Sequence, residues 1–514
     1  MRSESRFAPW ALLALMVLLL GSLSNPTVDL DLFHQMALAR EIMAKGSVPW
    51  HDSFAYTPVH AVVAHYEWGH GMIAYGLTNA FGAAGIVVLY WVLICALGMV
   101  CYVTARRGCD DHLAIGLCST AGILLAQTGF GFVRAQMYTY VFVALLLLAF
   151  DVDRRDASGW WSRGWVVVLV ALFPVWVNLH GGCLIAGLLL AVHGVEQAIR
   201  RRPVRHIALA GLALMPITML NPWGWHYLAA VWRSVTLRRP ASISEWAPIW
   251  DRSNLALIPF LLIALAVIAV AVRRKPLAEL GGIGVLVITA VLAVRSVRFL
   301  TFFGIVLASY VPAWVSTSTL GAVFRRTWRK LFPAWALFLL AVGAGYGVRA
   351  VSLAPWRIVV PSHRTDSTLL VYPVGAVDYL QQHRGESGLR NVLVPFNFGS
   401  YVMWRMGPQT KVSFDSRYDA VYPPARVDED IAFSKAKPGW EQVLARYPTD
   451  VVLVPQWFAV TKKMRTLPGW PEVYADSDFA IFARAGLDLP VQRTTARPRL
   501  GRFPDGRVGR IPDG

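Results

Sequence analysis

The chain has 514 residues, 56% of them hydrophobic and only 16% charged, with 21 tryptophans and a mean hydropathy of +0.47, a composition that excludes a soluble protein with a solvated surface. Its formal net charge of +18 does not read as a nucleic-acid footprint, because Lys and Arg fall in short clusters between apolar runs, as cytoplasmic loops facing anionic lipid do. Cys95, Cys101, Cys109, Cys118 and Cys183 lie in or beside apolar runs without the paired spacing of a zinc or redox site, so a polytopic helical membrane protein remains, with no disulfide framework expected in its polar last third.

The first 24 residues, MRSESRFAPWALLALMVLLLGSLS, have the basic start and apolar middle of a signal peptide. A retained first helix is the expectation, since the rest of the chain needs a membrane. There follows NPTVDLDLFHQMALAREIMAK (25–45), in which Leu32, Met36, Ala39 and Met43 recur at helical spacing. The spacing predicts an amphipathic interfacial helix over 31–45, with Asp31 at the N-cap and Lys45–Gly46 as the stop. Residues 66–82, YEWGHGMIAYGLTNAFG, are short, glycine-interrupted and aromatic, and read as a second interfacial helix.

Candidate spans are 9–24, 84–104, 112–129, 137–150, 165–179, 183–199, 206–220, 254–272, 277–294, 299–316 and 331–349, about eleven in all. With the N-terminus inside, the basic clusters ARRG (105–108), DVDRRD (151–156), RRRPVR (200–205), VRRK (272–275) and FRRTWRK (324–330) all fall on the cytoplasmic side. The opposite face collects VDLDLFHQ (28–35), HYEWGH (65–70), GFVRAQMY (131–138), NLHGG (178–182), the loop 221–250 and RSVR (295–298). The expected organisation is a transmembrane domain over 1–350, containing a first outer loop at 25–83, and a small extracytoplasmic α/β domain over 351–486. Within that domain NVLVPF (391–396), KVSFD (411–415), DVVLVP (450–455) and the hairpin EVYADSDFAIFAR (472–484) read as strands, and AVDYLQQH (376–383) as a helix. Residues 487–514, rich in Arg, Pro and Gly, are expected to be disordered.

Charged side chains at bilayer depth cost roughly 2.5–3.5 kcal/mol each, so Arg134, Arg295 and Arg298 beside apolar spans call for anionic partners. Arg295 and Arg298 lie three residues apart and are expected on one helix face. A carboxylate at the outer surface can take the proton of an attacking acceptor hydroxyl. Arginines at the outer ends of later helices can hold a lipid phosphate leaving group. Gln136 accompanies Arg134; Glu67 reads as an acceptor- or cation-positioning residue or as part of an interfacial belt; Glu245 in SEWAP reads as part of a lid. His180 in NLHGG reads equally as a phosphate or proton-transfer group and as a partner of nearby backbone. The pattern in FNFGSYVMWRM (396–406) and FDSRYDAVYP (414–423) reads as structural rather than as an acceptor site formed by Asp415, Arg417 and Asp419.

The series D-x-D-x-x-H (29–34), GSVPWHDSFAYT (46–57), HYEW (65–68), RAQMY (134–138), NLHGG (178–182), NPWG (221–224) and SEWAP (244–248), continued by FNFGSYVMWRM and FDSRYDAVYP, resembles a group of bacterial membrane proteins of the GT-C superfamily of polyprenol-dependent glycosyltransferases. The resemblance covers most of residues 10–485. It implies an inner-membrane hexosyl- or pentosyltransferase moving a sugar from a polyprenyl-phosphate donor to a lipid, glycan or protein acceptor on the outer face. The superfamily's acidic catalytic residue falls on Asp29 or Asp31; Asp31 is the expected base, Asp29 a helper, and His34 stands where relatives have an aromatic residue. Arg134, Arg295, Arg298 and His180 are the expected phosphate binders, with Glu67, Gln136 and Glu245 positioning the acceptor. The resemblance implies no certain cofactor and leaves a divalent cation open. Two rivals have different mechanisms: a polysaccharide polymerase or ligase without a carboxylate base, relying on His180 and the arginines, and a non-enzymatic lipid-glycan transporter or scaffold. Walker A, GxGxxG and HExxH motifs do not occur.

Overall fold

The computed structural model describes residues 28–130, 133–155, 160–237, 244–273, 279–323, 358–365 and 370–506, with a few isolated positions between them. Its helices are α1 (Leu30–Lys45), α2 (Trp68–Phe81), α3 (Ala83–Gly108), α4 (His112–Phe130), α5 (Gln136–Arg155), α6 (Trp160–Leu179), α7 (Ile185–Ile199), α8 (Arg205–Ile217) and α9 (Trp225–Thr236). They continue with α10 (Ile258–Val272), α11 (Ile283–Arg295), α12 (Leu300–Ser316), α13 (Val374–Ser387), α14 (Phe396–Met406), α15 (Pro424–Ser434), α16 (Gln442–Arg446) and α17 (Ala459–Met464). The strands are β1 (Val359–Val360), β2 (Asn391–Leu393), β3 (Lys411–Val412), β4 (Val451–Pro455), β5 (Glu472–Ala475), β6 (Phe479–Ala483), β7 (Gln492–Arg493) and β8 (Gly501–Arg502). The chain divides into two compact units, one containing Val87–Asn221 and Arg238–Pro355, the other Pro26–Ile86, Pro222–Leu237 and Trp356–Gly514.

In the first unit every internal apolar run from 84–104 to 299–316 falls on a helix. Among the described residues five helical segments are long and apolar enough to cross a membrane: Ala83–Gly108, Gln136–Arg155, Gly181–Ile199, Leu255–Val272 and Val297–Ser316. The expected span 9–24 lies outside the described residues, as does nearly all of 331–349. Helix α12 is buried along its whole length and packs against α4 through two glycines. A Cβ on Gly122 would lie 2.4 Å from the Gly304 carbonyl oxygen, and one on Gly304 2.2 Å from that of Gly122. In lipid, such small residues allow close van der Waals packing where the hydrophobic effect supplies no drive.

Charge gathers at one end of this unit. Asp151 accepts from Arg107 Nε at 3.0 Å and from Arg155 Nε at 2.8 Å, and the Arg202 guanidinium donates to the Arg154 carbonyl. The basic ends of α3 and α5 and the segment after α7 therefore meet. Arg134 precedes the other end of α5, and the 20 residues of that helix separate its ends by about 30 Å.

The second unit is built on a six-stranded sheet in the order β3-β2-β4-β6-β5-β7. β2 runs parallel to β3 and β4, and β5–β6 is an antiparallel hairpin carried on β4. All four strand expectations coincide with strands, while SYVMWRM lies in helix α14. The segment after α1 folds with this sheet. Ala55 bridges to Val412 in parallel, Val412 N–H donates to the Phe54 carbonyl at 2.8 Å, and Arg417 bonds Asp52.

Three expectations change here. Helix α1 is not a half-exposed amphipathic helix: residues Leu32–Ile42 are all buried, including Arg40 and Glu41. Arg40 can be buried because its guanidinium donates to the carbonyls of Trp404 (2.8 Å) and Gly407 (3.1 Å) and lies 4.5 Å from the Trp404 ring. Second, residues 487–506 are ordered: β7 pairs with β5, β8 with β1, and Phe503 is buried. Backbone pairing and one aromatic anchor hold a segment whose composition lacks apolar periodicity; residues 507–514 lie outside the described residues. Third, the N-cap of α1 is Asp29, one residue ahead of the first helical residue.

Candidate active site

In the second unit the expected catalytic residues sit at the start of α1. Asp29 has extended backbone (φ −77°, ψ 147°) and its Oδ1 accepts from the Asp31 N–H at 2.9 Å. That N-cap bond satisfies one of the donors a helix start leaves open. It reassigns the expected roles: Asp29, buried, is the cap, and Asp31 stands in the first turn with its side chain 30% exposed. The positive end of the helix dipole favours an ionised carboxylate at Asp31. Gly46, with φ 69°, closes the helix as expected.

His34 Nδ1 lies 2.9 Å from Ser416 Oγ, which bonds Ser400 Oγ at 2.7 Å, and 3.9 Å from Asp31 Oδ1. Burial pushes the His34 imidazole down to about 3, with the Arg417 charge adding to the effect and the Asp415 and Asp29 charges opposing it. His34 is therefore neutral at physiological pH. Burial likewise holds His65 well below its ordinary value and brings His70 to about 4. Glu67, just before α2, accepts from the Gln35 side-chain amide. The approach of α1 and α2 requires Gly71, where a Cβ would come within 2.5 Å of the Gln35 carbonyl oxygen.

The cluster of Asp52, Asp415, Arg417 and Tyr422 is buried. Arg417 reaches Asp415 Oδ1 at 2.8 Å and Oδ2 at 2.7 Å, and Tyr422 OH donates to Asp415 Oδ2 at 2.6 Å. Burial alone would raise the Asp415 carboxyl, but the Arg417 charge holds it down at about 2. These groups satisfy one another, in keeping with the structural reading of FDSRYDAVYP.

In the first unit a small pocket is lined by Gly129, Arg134, Gln136, Tyr140, Glu245, Val297 and Arg298. It brings together four residues singled out in the sequence from three distant segments. Arg134 Nη1 donates to Glu245 Oε1, Arg298 Nη1 stands 4.0 Å from Glu245 Oε2, and the Arg298 guanidinium lies 4.6 Å from the Trp246 ring centre. Burial would raise the Glu245 carboxyl, but the charges of Arg134 and Arg298 hold it below the usual carboxylate range. Gly129 allows this closeness: a Cβ there would meet Tyr140 OH at 2.6 Å and Thr301 Oγ1 at 2.3 Å. Sequence reasoning missed Tyr140, Trp246 and Gly129. Tyr140 was findable, being four residues after Gln136 on the same face of α5.

Two expected phosphate binders stand elsewhere. Arg295 and Arg298 do not share a helix face, because α11 ends at Arg295 and Ser296 turns extended (φ −154°, ψ 127°) before the 3₁₀ turn Val297–Phe299. Arg298 then lines the cavity while Arg295 is exposed and does not. His180 is also absent from the cavity lining. It is buried, and its Nδ1 accepts from the Gly182 N–H at 3.0 Å and lies 2.8 Å from Thr139 Oγ1, which accepts from the Trp176 indole at 2.8 Å. The reading of His180 as a partner of nearby backbone fits this network. Among the described residues no group of three or more His, Cys, Asp or Glu is arranged to hold a metal ion.

A helical unit of apolar spans and an α/β unit that takes in residues 46–57 make up a fold shared with solved structures. The solved structures that share it include the oligosaccharyltransferase of Archaeoglobus fulgidus tethered to an acceptor peptide with an NVT sequon, at TM-score 0.58 and 13% identity, over 94% of this chain and 75% of that one. ArnT from Cupriavidus metallidurans in the apo state is similar at TM-score 0.53 and 15% identity, over 95% of this chain and 100% of its own. ArnT bound to undecaprenyl phosphate is similar at TM-score 0.51 and 15% identity, over 94% and 98%. No family model and no curated protein matches the sequence. At these identities the likeness is one of fold.

Proposed function

We propose that the chain is an integral inner-membrane glycosyltransferase, moving a sugar from a polyprenyl-phosphate donor to a lipid, glycan or protein acceptor on the outer face. In this reading the helical domain has about eleven spans, the N-terminus is cytoplasmic, and the α/β unit with α1 is extracytoplasmic. The observation that supports it most directly is the cavity in which Arg134 and Arg298 face one carboxylate beside Gln136. Two guanidinium groups and an amide, set among apolar helices, suit a phosphate carried on a lipid tail. ArnT, which shares the fold, has been solved with undecaprenyl phosphate bound.

Asp31 is the proposed base. Its carboxylate takes the proton of an acceptor hydroxyl as that oxygen attacks the anomeric carbon, and the bond from that carbon to the phosphate oxygen breaks. Its electron pair leaves with the polyprenyl phosphate, whose growing negative charge Arg134 and Arg298 stabilise. Asp29 acts through the helix cap that fixes the Asp31 backbone. Glu67 and Gln136 are assigned to ligand positioning.

Lipid and glycan mass spectrometry of a deletion strain, complemented with variants present at wild-type level in the membrane, tests this. Loss of a base lowers the rate about 10²–10⁴-fold, so Asp31→Asn and Arg134→Ala should both fail to restore the missing glycoform. Normal product from the double variant Asp29→Asn/Asp31→Asn would remove the carboxylate mechanism.

A further inference from the structure

Glu245 is the one acidic residue among those lining the Arg134–Arg298 cavity. It is the group least expected in a site for an anion. Its two oxygens face different arginines, Oε1 toward Arg134 and Oε2 toward Arg298 at 4.0 Å. Two oxygens of a phosphate bridging the same pair would take this arrangement. The charges of the arginines keep the carboxylate ionised against the effect of burial, so phosphate and Glu245 cannot both hold the full set of donors.

The backbone around Glu245 is held by three hydrogen bonds. Ser296 Oγ donates to the Glu245 carbonyl at 3.1 Å, Val297 N–H to the Ala247 carbonyl at 3.1 Å, and Ile249 N–H to the Val294 carbonyl at 3.2 Å. Arg298 lies against the Trp246 ring. The Glu245 side chain is 37% exposed, against 17% for Arg134. Rotation about its own bonds can turn the carboxylate toward solvent with the Ser244–Trp246 turn held in place.

We propose that Glu245 is an internal competitor for the phosphate-binding arginines, displaced when a polyprenyl phosphate binds and returning as the product leaves. The proposal rests on the phosphate reading of the cavity given above. Charge explains why a competitor is useful. A sugar-linked phosphodiester carries one negative charge, whereas the phosphomonoester left after transfer carries about 1.5–2 at pH 7. Two unopposed arginines would hold the product more tightly than the donor. A tethered carboxylate reduces the clamp to one net positive charge and speeds exchange.

Undecaprenyl phosphate titrated into the full-length protein in nanodiscs, with binding read by native mass spectrometry, tests the competition; undecaprenol serves as the uncharged control. Glu245→Gln should bind undecaprenyl phosphate about tenfold more tightly than wild type, equivalent to about 1.4 kcal/mol, and undecaprenol equally well. Arg134→Ala and Arg298→Ala should bind the phosphate at least about tenfold more weakly. Equal or weaker binding by Glu245→Gln, with both arginine variants weakened, overturns the competition and leaves the phosphate site standing. Wild-type binding by both arginine variants overturns the phosphate reading, and the competition with it. Should Glu245→Gln fail to insert, Glu245→Asp, with a shorter reach, should bind with intermediate affinity, and wild-type affinity for that variant counts against the proposal.

Discussion

Replacing Arg417 by Met tests what joins the segment after α1 to the C-terminal sheet. Arg417 bonds Asp52 from the loop and Asp415 from the segment after β3, and the side chains of the two carboxylates are only 1% and 0% exposed. Met fills similar volume but leaves both carboxylates buried without a cation. Breaking a buried pair in this way costs about 3–5 kcal/mol. The Asp415 carboxyl, held near 2 against a reference value of 3.8, gives a second figure of about 2–3 kcal/mol for that one group. The two estimates overlap rather than add, and either is a large share of a typical stability of about 5–15 kcal/mol.

The purified full-length variant in detergent should therefore unfold roughly 10 °C below wild type, with faster tryptic cleavage as a second readout. Removing one orphaned charge should recover part of the loss, so Asp52→Asn should cost less in the Arg417→Met background than in wild type. The pH dependence has a definite sign. Asp415 has a depressed folded-state value, so its contribution is present above about 4, the unfolded value, and is lost as pH falls through about 2. Arg417→Met should lack this slope. A midpoint within about 2 °C of wild type (under about 1 kcal/mol), or equal costs for Asp52→Asn in both backgrounds, would refute the assignment of the cluster as the joint.

Two further outcomes follow. His34 is held near 3 in the folded protein and titrates near 6.5 when unfolded, so its neutral form contributes stability above 6.5 that is lost as pH falls toward 3, about 4–5 kcal/mol in full. His34→Gln should lose less thermal stability than wild type between pH 7 and 5, a difference of about 2 kcal/mol, with His65 and His70 leaving a residual slope; identical slopes would contradict the burial argument. Gly304→Val places a side chain on the Gly122 backbone and should cost at least about 1–3 kcal/mol through overpacking, seen as loss of the monodisperse peak in size-exclusion chromatography, whereas a wild-type profile would show that the α4–α12 contact is looser than described.

Much of the helical unit was legible because apolar runs of about 20 residues have few other uses. That Arg134 and Arg298 have an anionic partner was legible for a related reason: a charge beside an apolar span is expensive and calls for one. Arg295 misled because the spacing argument assumed one continuous helix, and neither Gly nor Pro marks the break at Ser296. The cap of α1 slipped by two residues because Asp29 and Asp31 are equally good capping residues and only the backbone distinguishes them. The burial of Arg40 was hidden for another reason. Its partners, the carbonyls of Trp404 and Gly407, lie more than 360 positions away, and no local pattern records such a pairing. The same holds for β8, which is ordered by pairing with Val359–Val360.

The two aspartates that follow the first apolar run divide their work by geometry. Asp29 spends its carboxylate on the backbone of the helix it starts, and Asp31, two residues further on, remains partly exposed. What sets the direction of that helix start is not the loop itself. Tyr372 OH donates to the Val28 carbonyl at 2.8 Å, Phe33 sits edge-on to Tyr372 and Tyr401 at 5.2 and 5.1 Å, His34 meets Ser416, and Arg40 is held by the end of α14. Every one of these partners comes from the C-terminal sheet region. If Asp31 is the base, that region is its mount: a position displaced by 1 Å can cost 10²-fold in rate. Defects in α14 or the Ser400–Ser416 contact should then appear as lost transfer in a protein that still inserts and folds.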